Sequence, residues 1–309
     1  MQNIPTDTTP QIDLNIQWYP GHMAKTKRML KEALSLVDMV VELVDARIPY
    51  SSKNPDLDQL AAHKNRIIVL NKADLANAEI TKEWQQYFTA RGFRAIITDS
   101  LAGKGLNDII AQANELMQPK LEALRKRGRL SCPTRAMIAG IPNVGKSTLI
   151  NRYAGKAAAK TADKPGVTRG KQWIKMKNHF ELLDTPGILW PKFDDKTVGL
   201  HLAFTGAIND DIIDMTVLAW ALIDKIMTIA PEALTNRYGI SPLPDQGSHT
   251  ILESIATARG FKLKGDRPDV TRASIMLLDE FRGGKLGRIS LERPSDIPTR
   301  ESLPESARL

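Results

Sequence analysis

The period of apolar positions along the chain changes near residue 190. Upstream, short apolar runs recur between turn signals: MVVELVDA at 39–46, RIIVLNKAD at 66–74, FRAIITDS at 93–100, RAMIAGIP at 135–142 and HFELLDTPG at 179–187. Runs this short and this continuously apolar suit strands buried on both faces. Between them, 80–90 and 106–125 carry apolar residues at helical spacing. The alternation predicts an α/β fold, a mostly parallel sheet with helices on both faces. Residues 22–38 add an amphipathic helix, with Met23, Met29, Leu30, Ala33, Leu34 and Val37 on one side and Lys25, Lys27, Arg28 and Lys31 largely on the other.

Beyond Trp190 the strand-like runs give way to helical periodicity at 211–230, 248–259 and 269–281, punctuated by the loop YGISPLPDQG at 238–247. From Gly283 onward Gly, Pro, Ser and charge mix with little to bury. The expected organisation is a flexible arm over 1–13, an α/β domain over 14–192, an all-helical C-terminal domain over 193–285 and a disordered tail over 286–309.

Composition refines this only at the edges. Apolar and charged fractions of 42% and 25% are ordinary for a globular chain. The single cysteine, Cys132, can form neither an internal disulfide nor a paired metal site, which fits a reducing, cytoplasmic setting. The residues ahead of Gln17 lack a charged-then-apolar leader, so export is not expected. Asp214, Asp224 and Lys225 interrupt the most apolar stretch, so it reads as a core helix and no membrane partner is expected. A net charge of +8 favours a polyanionic partner, nucleic acid foremost.

The chemistry sits in a few motifs. GIPNVGKS at 140–147 matches the phosphate-binding pattern of a strand, a glycine-rich turn and a helix. There the backbone around Pro142, Asn143, Val144 and Gly145 curls about an anion, Lys146 adds a point charge at the outer phosphates, Ser147 offers a hydroxyl to Mg²⁺, and Thr148 continues the turn. Asn71, Lys72 and Asp74 form an Asn-Lys-x-Asp signature directly after a strand. A carboxylate at Asp74 can accept from both N–H donors of guanine, a pair that adenine lacks, although an Asp there can also simply cap a helix. In DTPG at 184–187, Asp184 can hold the metal through water and the Gly187 amide can meet a γ-phosphate; a plain Pro-Gly turn would suit the same residues. Thr168, in KPGVTRG, is a candidate second hydroxyl ligand for Mg²⁺, and the backbone around Ser100 is a candidate wall of the base pocket.

These motifs stand in an unusual order, NKAD and TDS ahead of GIPNVGKST, PGVTR and DTPG. With WYPGHMAK at the front and DARIPYSSKNP at 45–55, the chain resembles the circularly permuted GTPases of the ribosome biogenesis GTPase A (YlqF) family over roughly residues 14–290. The resemblance implies a circularly permuted P-loop GTPase domain and a helical domain that contacts rRNA. It implies a GTP-hydrolysing factor in late maturation of the large (50S) ribosomal subunit, slow alone and stimulated by the particle, which it binds in the GTP state and leaves after hydrolysis. The expected partners are GTP, GDP and that subunit, and the expected state is monomeric. An rRNA-binding scaffold in which GTP is mainly structural is the alternative.

The same resemblance bears on catalysis. Ile188 stands where Ras-like enzymes place a water-orienting Gln, and the histidine of the PGH motif, here His22, is the family's proposed substitute, with Lys146 beside it at the phosphates. From the residues alone His22 could equally start a helix, with Trp18 and Tyr19 stapling the arm. Asn143 resembles the P-loop Asn of K⁺-stimulated GTPases. Asp45 and Arg47 read as a structural ion pair at a strand end, and Lys262, Lys264, Arg267, Arg272, Arg282, Lys285 and Arg288 as either a solvated face or an RNA contact.

Overall fold

The computed structural model describes residues 20–128, 133–154, 172–176, 180–185, 187 and 195–297 of the 309-residue chain. In chain order it runs α1 (Pro20–Ser35), β1 (Met39–Asp45), α2 (Pro49–Ser52), α3 (Pro55–Leu60), β2 (Asn65–Asn71), α4 (Ala78–Ala90), β3 (Arg94–Ile97), α5 (Leu106–Lys126), β4 (Thr134–Gly140) and α6 (Lys146–Ala154). It continues through β5 (Gln172–Lys175), β6 (Phe180–Asp184), α7 (Lys196–Phe204), α8 (Met215–Ile229), α9 (Glu232–Tyr238), α10 (Ser248–Ala258) and α11 (Val270–Arg282), with short 3₁₀ turns at Asp210–Ile212 and Pro294–Asp296.

The strands form one six-stranded sheet in the order β3-β2-β1-β4-β6-β5. All neighbours are parallel except β5, which runs antiparallel to β6 at the edge. Every residue of β1 is buried, as expected of the strand at the middle of a covered sheet. Its partner across the centre is β4, with Met39 opposite Ala136 and Leu43 opposite Gly140. The first and second halves of this part of the chain thus meet along a central seam, the layout that the permuted motif order predicts.

Helix boundaries follow side-chain chemistry. Asn77 Oδ1 accepts from the amides of Glu79 and Ile80 to start α4, and Asp214 Oδ1 from those of Thr216 and Val217 to start α8. One face of the sheet packs Trp84 and Phe88 of α4 over Ile68 and Leu70; another apolar cluster holds Leu30 and Leu34 of α1 against Val40, Met137 and Leu183. The largest cluster runs without a break from Val41, Leu43 and Ile138 through Leu202 and Phe204 to Leu222, Leu252, Leu277 and Phe281. No helix among the described residues is long and apolar enough to cross a membrane.

Three short elements were not expected, and one expected boundary needs correction. The edge strand β5 and the short helices α2 and α3 went unread because each is four to six residues long and shows no full period. The expected tail over 286–309 is folded as far as Ile297, because Leu286, Ile289 and Leu291 are buried in the main cluster. Sparse apolar residues among Gly and charge hid a segment whose burial depends on tertiary contacts. Residues 298–309, and the arm over 1–13, lie outside the described residues.

Candidate nucleotide-binding site

The site is built where β4 ends and α6 begins. Gly145 sits at a φ of 102°, and a Cβ there would come within 2.3 Å of Asn71 Nδ2, so only glycine lets the turn pass this close to the neighbouring segment. Asn143 also holds a positive φ, 57°, and its Nδ2 donates to the Gly206 carbonyl at 2.7 Å, just beyond α7. Lys146 is buried and its Nζ donates to the carbonyls of Gly140 (3.0 Å) and Ile141 (2.8 Å). Burial pulls the ammonium down to about 8, with the charge of Asp184 opposing that shift. Ser147 and Thr148 lie half-buried in the first turn of α6.

Asp184 ends β6 beside this turn. Burial raises its carboxyl to about 6, and the Lys146 charge only partly offsets that. Its Oδ1 is buried without a hydrogen-bond partner among the described residues, while Thr185 Oγ1 donates to the Ile138 carbonyl at 2.7 Å. A buried carboxylate oxygen with nothing to accept is the kind of atom that a metal or its water satisfies. Among the described residues no cluster of three His, Cys, Asp or Glu is in place to cage a metal. The donors present, the Ser147 hydroxyl and the Asp184 carboxylate, suit an ion completed by water and phosphate oxygens, as Mg²⁺ is. A Cβ on Gly187 would lie 2.8 Å from Pro142 N and Cα and 3.1 Å from Lys146 Nζ, so this backbone closes directly over the turn.

The base-side segment joins through one carboxamide. Asn71 Nδ2 donates to the Val144 carbonyl at 2.8 Å, while its Oδ1 accepts from Ser100 Oγ (2.7 Å), Thr98 Oγ1 (3.0 Å) and Ser100 N (3.2 Å). Three loops from three strand ends are thereby fixed to one another, and Asn71 and Ser100 are both buried. Lys72, at a φ of 59°, turns its Nζ to Asp45 at 3.2 Å. Asp74 is half-buried; burial first and then the nearby Asp99 push its carboxyl above the usual range.

Beneath that segment Asp45 and Arg47 form a fully buried bidentate pair, with Nε to Oδ1 at 2.9 Å and Nη2 to Oδ2 at 2.8 Å. Burial raises the Asp45 carboxyl, but the Arg47 and Lys72 charges outweigh it and hold the group well below the usual carboxylate range. The ion-pair reading of these two residues is the one the structure gives.

What the sequence did not flag is how the chain's last described stretch laces this region. The Ile289 amide donates to the Leu75 carbonyl (3.1 Å), the Asn77 amide to Ser290 Oγ (3.1 Å), the Leu291 amide to the Arg47 carbonyl (2.8 Å) and Trp84 Nε1 to the Glu292 carbonyl (3.1 Å). The buried Glu292 carboxylate accepts from the Tyr50 amide, from Ser51 and from His201 of α7. No local pattern announces a carboxylate whose partners lie 91 to 242 positions away.

The candidates thus divide. Asn71, Ser100, Pro142, Val144, Gly145, Lys146, Asp184 and Gly187 are brought together around the turn between β4 and α6, and Asn143 donates to Gly206. Lys72 turns inward to Asp45, and Asp74 stays at the surface of the same segment. Thr168 lies outside the described residues; His22 falls in the first turn of α1, its side chain outside them too. Of the distal basic residues, Arg282 is committed to Asp210 and to the carbonyls of Ala203 and Phe204, and Lys262 pairs with Asp266. Lys264, Arg267, Lys285 and Arg288 are exposed.

Comparison with known proteins is consistent across sequence and structure. The family of 50S ribosome-binding GTPases matches residues 135–237. Ribosome biogenesis GTPase A of Priestia megaterium is 46% identical over 284 residues, covering 92% of this chain and 98% of that protein. The protein of the same name from Thermotoga maritima is 35% identical over 284 residues, covering 91% and 96%. The crystal structure of GNP-bound YlqF from T. maritima superposes with a TM-score of 0.62 at 32% identity, over 88% of this chain and all of that one.

Proposed function

The chain belongs to the ribosome biogenesis GTPase A family, GTPases with a role in ribosome assembly, and from that premise we propose that it serves late maturation of the large (50S) subunit. It binds the particle with GTP in place and leaves after hydrolysis, which is slow in the free protein and stimulated by the particle. It works in the cytoplasm as a monomer, the permuted domain over 14–192 holding nucleotide and the helices over 193–285 touching rRNA, with Lys264, Arg267, Lys285 and Arg288 offering exposed positive charge for that contact.

The observation that carries this reading is the Asn71 carboxamide, which ties the base-side loops to the phosphate turn although they are far apart in sequence. Asn71 and Ser100 hold the base pocket in register, and Asp74 reads guanine. Lys146 exchanges its carbonyl partners for phosphate oxygens, and the amides of Asn143 to Thr148 surround the charge. Ser147, Asp184 through water and Thr168 would hold Mg²⁺, which supplies charge neutralisation between the outer phosphates. Asn143 is the proposed contact for K⁺. Its bond to Gly206 supports coupling of the phosphate turn to the helices after α7. His22 orients water once the particle brings it to the γ-phosphate, because a catalytic group contributes little until it is positioned.

The test is single-turnover hydrolysis by wild type and His22→Ala, with and without large subunits, beside co-sedimentation with separated 30S, 50S and 70S particles in a non-hydrolysable GTP analogue. A loss confined to the stimulated reaction, and preference for 50S, are expected. Unchanged stimulated hydrolysis would remove His22 from catalysis; preference for the small subunit would overturn the assignment.

A further inference from the structure

On the rim of the sheet opposite the phosphate turn lies a second concavity. The turn follows the C-terminal end of β4, whereas this groove is lined at the N-terminal ends of β2 and β3, by Asn65, Arg66, Phe93 and Arg94; since β1 to β4 are parallel, the two sites occupy opposite rims. Its volume is about 590 Å³. Five cationic side chains, Lys53, Lys64, Arg66, Arg91 and Arg94, line it; Lys53 and Arg66 pair with Asp58, Arg66 also with Glu42 and Arg94 with Glu115, so the surplus of positive charge among the described residues sits on Lys64 and Arg91.

Aromatic rings are interleaved with that charge. The Arg91 guanidinium stacks 3.5 Å from the centre of the Tyr87 ring on the exposed end of α4. Arg66 and Lys53 stand 5.1 and 5.7 Å from the Phe93 ring, and Tyr50, 43% exposed, presents the freest ring of the lining. Arg66 is buried, bonded to Glu42 and Asp58, yet its Nε is a buried donor with no acceptor among the described residues. A buried guanidinium with one unmet donor is unusual for a surface that only solvates charge.

We propose that this groove receives an unpaired nucleotide of RNA, the base lying between Tyr50 and the Tyr87–Arg91 stack and the backbone phosphates meeting the cations along the rim. Planar rings and guanidinium groups accept the face of any base, and the excess of positive charge suits phosphate, whereas a duplex cannot offer a base to a recess of this kind. The groove rests on the ribosomal reading above and extends it: RNA contact is not confined to the helical domain, and both rims of the sheet can be occupied at once.

The test titrates full-length protein, loaded with a non-hydrolysable GTP analogue, with a labelled unstructured oligoribonucleotide and with an RNA duplex. Tyr50→Ala and Arg91→Glu should each weaken single-strand binding by about tenfold, the scale of one stacked base, and affect the duplex less. GTP turnover of the free protein should stay unchanged, which certifies the fold. Equal loss on duplex and single strand would mean bulk charge and would overturn the proposal, as would unchanged affinity. Photocrosslinking to large subunits should map to residues 87–94 and to an RNA base; a crosslink to a ribosomal protein there would also overturn it. Failure of the wild type to co-sediment with large subunits would instead strike the ribosomal reading, so the two failures are separable.

Discussion

Replacing Asn71 with alanine removes one carboxamide and strands four groups at once: the Val144 carbonyl, the Ser100 amide and the hydroxyls of Ser100 and Thr98. The site is buried, so water cannot freely replace the lost partner. At about 1 kcal/mol net for each bond, the substitution costs about 4 kcal/mol, a large share of the roughly 5–15 kcal/mol that holds an ordinary domain together. The bonds fix the two walls of the proposed nucleotide pocket to each other, so on that reading the loss divides between fold and ligand. If half falls on the bound state, GTP binds roughly thirtyfold more weakly. Urea unfolding of wild type and Asn71→Ala, each nucleotide-free and saturated with GTP, reads both parts: the midpoint drops without ligand, and the GTP-induced gain shrinks. Asp74→Asn touches none of the four bonds and serves as the control whose nucleotide-free midpoint does not fall, since burial and Asp99 already disfavour that charge. A nucleotide-free midpoint and a GTP-induced shift that both match wild type would refute the bridging role.

On the proposed role of Asp74, Asp74→Asn should itself relax the choice of base, narrowing the preference for GTP over ATP in competition binding by tenfold or more, because one acceptor for the guanine edge would become a donor. For pH, Asp184 is raised by burial to about 6, above its ordinary value of 3.8. Its stabilising contribution is therefore full below the lower value and lost as pH rises through the upper one, so nucleotide-free wild type should lose thermal midpoint relative to Asp184→Asn between about pH 4 and 7. Leu291→Ala should cost about 2–4 kcal/mol in urea unfolding, since the side chain is buried in the main cluster. Ending the chain at Lys285 removes Leu286, Ile289, Leu291 and the Glu292 network together and should abolish a cooperative transition by circular dichroism.

Much of the architecture was legible because its signals are local. Five strands announced themselves as short apolar runs, and the phosphate turn by glycines whose spacing is dictated by backbone geometry, as the contact of Gly145 with Asn71 makes plain. The permuted order was legible as motif order alone, and the central pairing of β1 with β4 is its structural counterpart. What stayed hidden was set by distant partners. β5, four residues long, is too short to show a period; it pairs with β6 and buries Ile174 in the main cluster. Glu292 sits in a stretch that reads as charged and unstructured, yet its carboxylate meets the amides of α2 and the imidazole of α7. Arg282 looked like one more surface cation, but Asp210 and two carbonyls consume its donors.

The lacing of residues 289–292 over the base-side segment also fixes an order of events during synthesis. Residues 39–77 leave the ribosome early and carry the Asn71 to Asp74 signature, but the glycine-rich turn follows only from residue 140, and the backbone contacts that clamp Leu75 and Arg47 come from Ile289 and Leu291. A nascent chain short of residue 289 therefore holds both signature motifs, and the Asn71 bridge between them, without the brace on Leu75 and Arg47. The base-side segment thus gains its outer brace only after every strand of the sheet has been made.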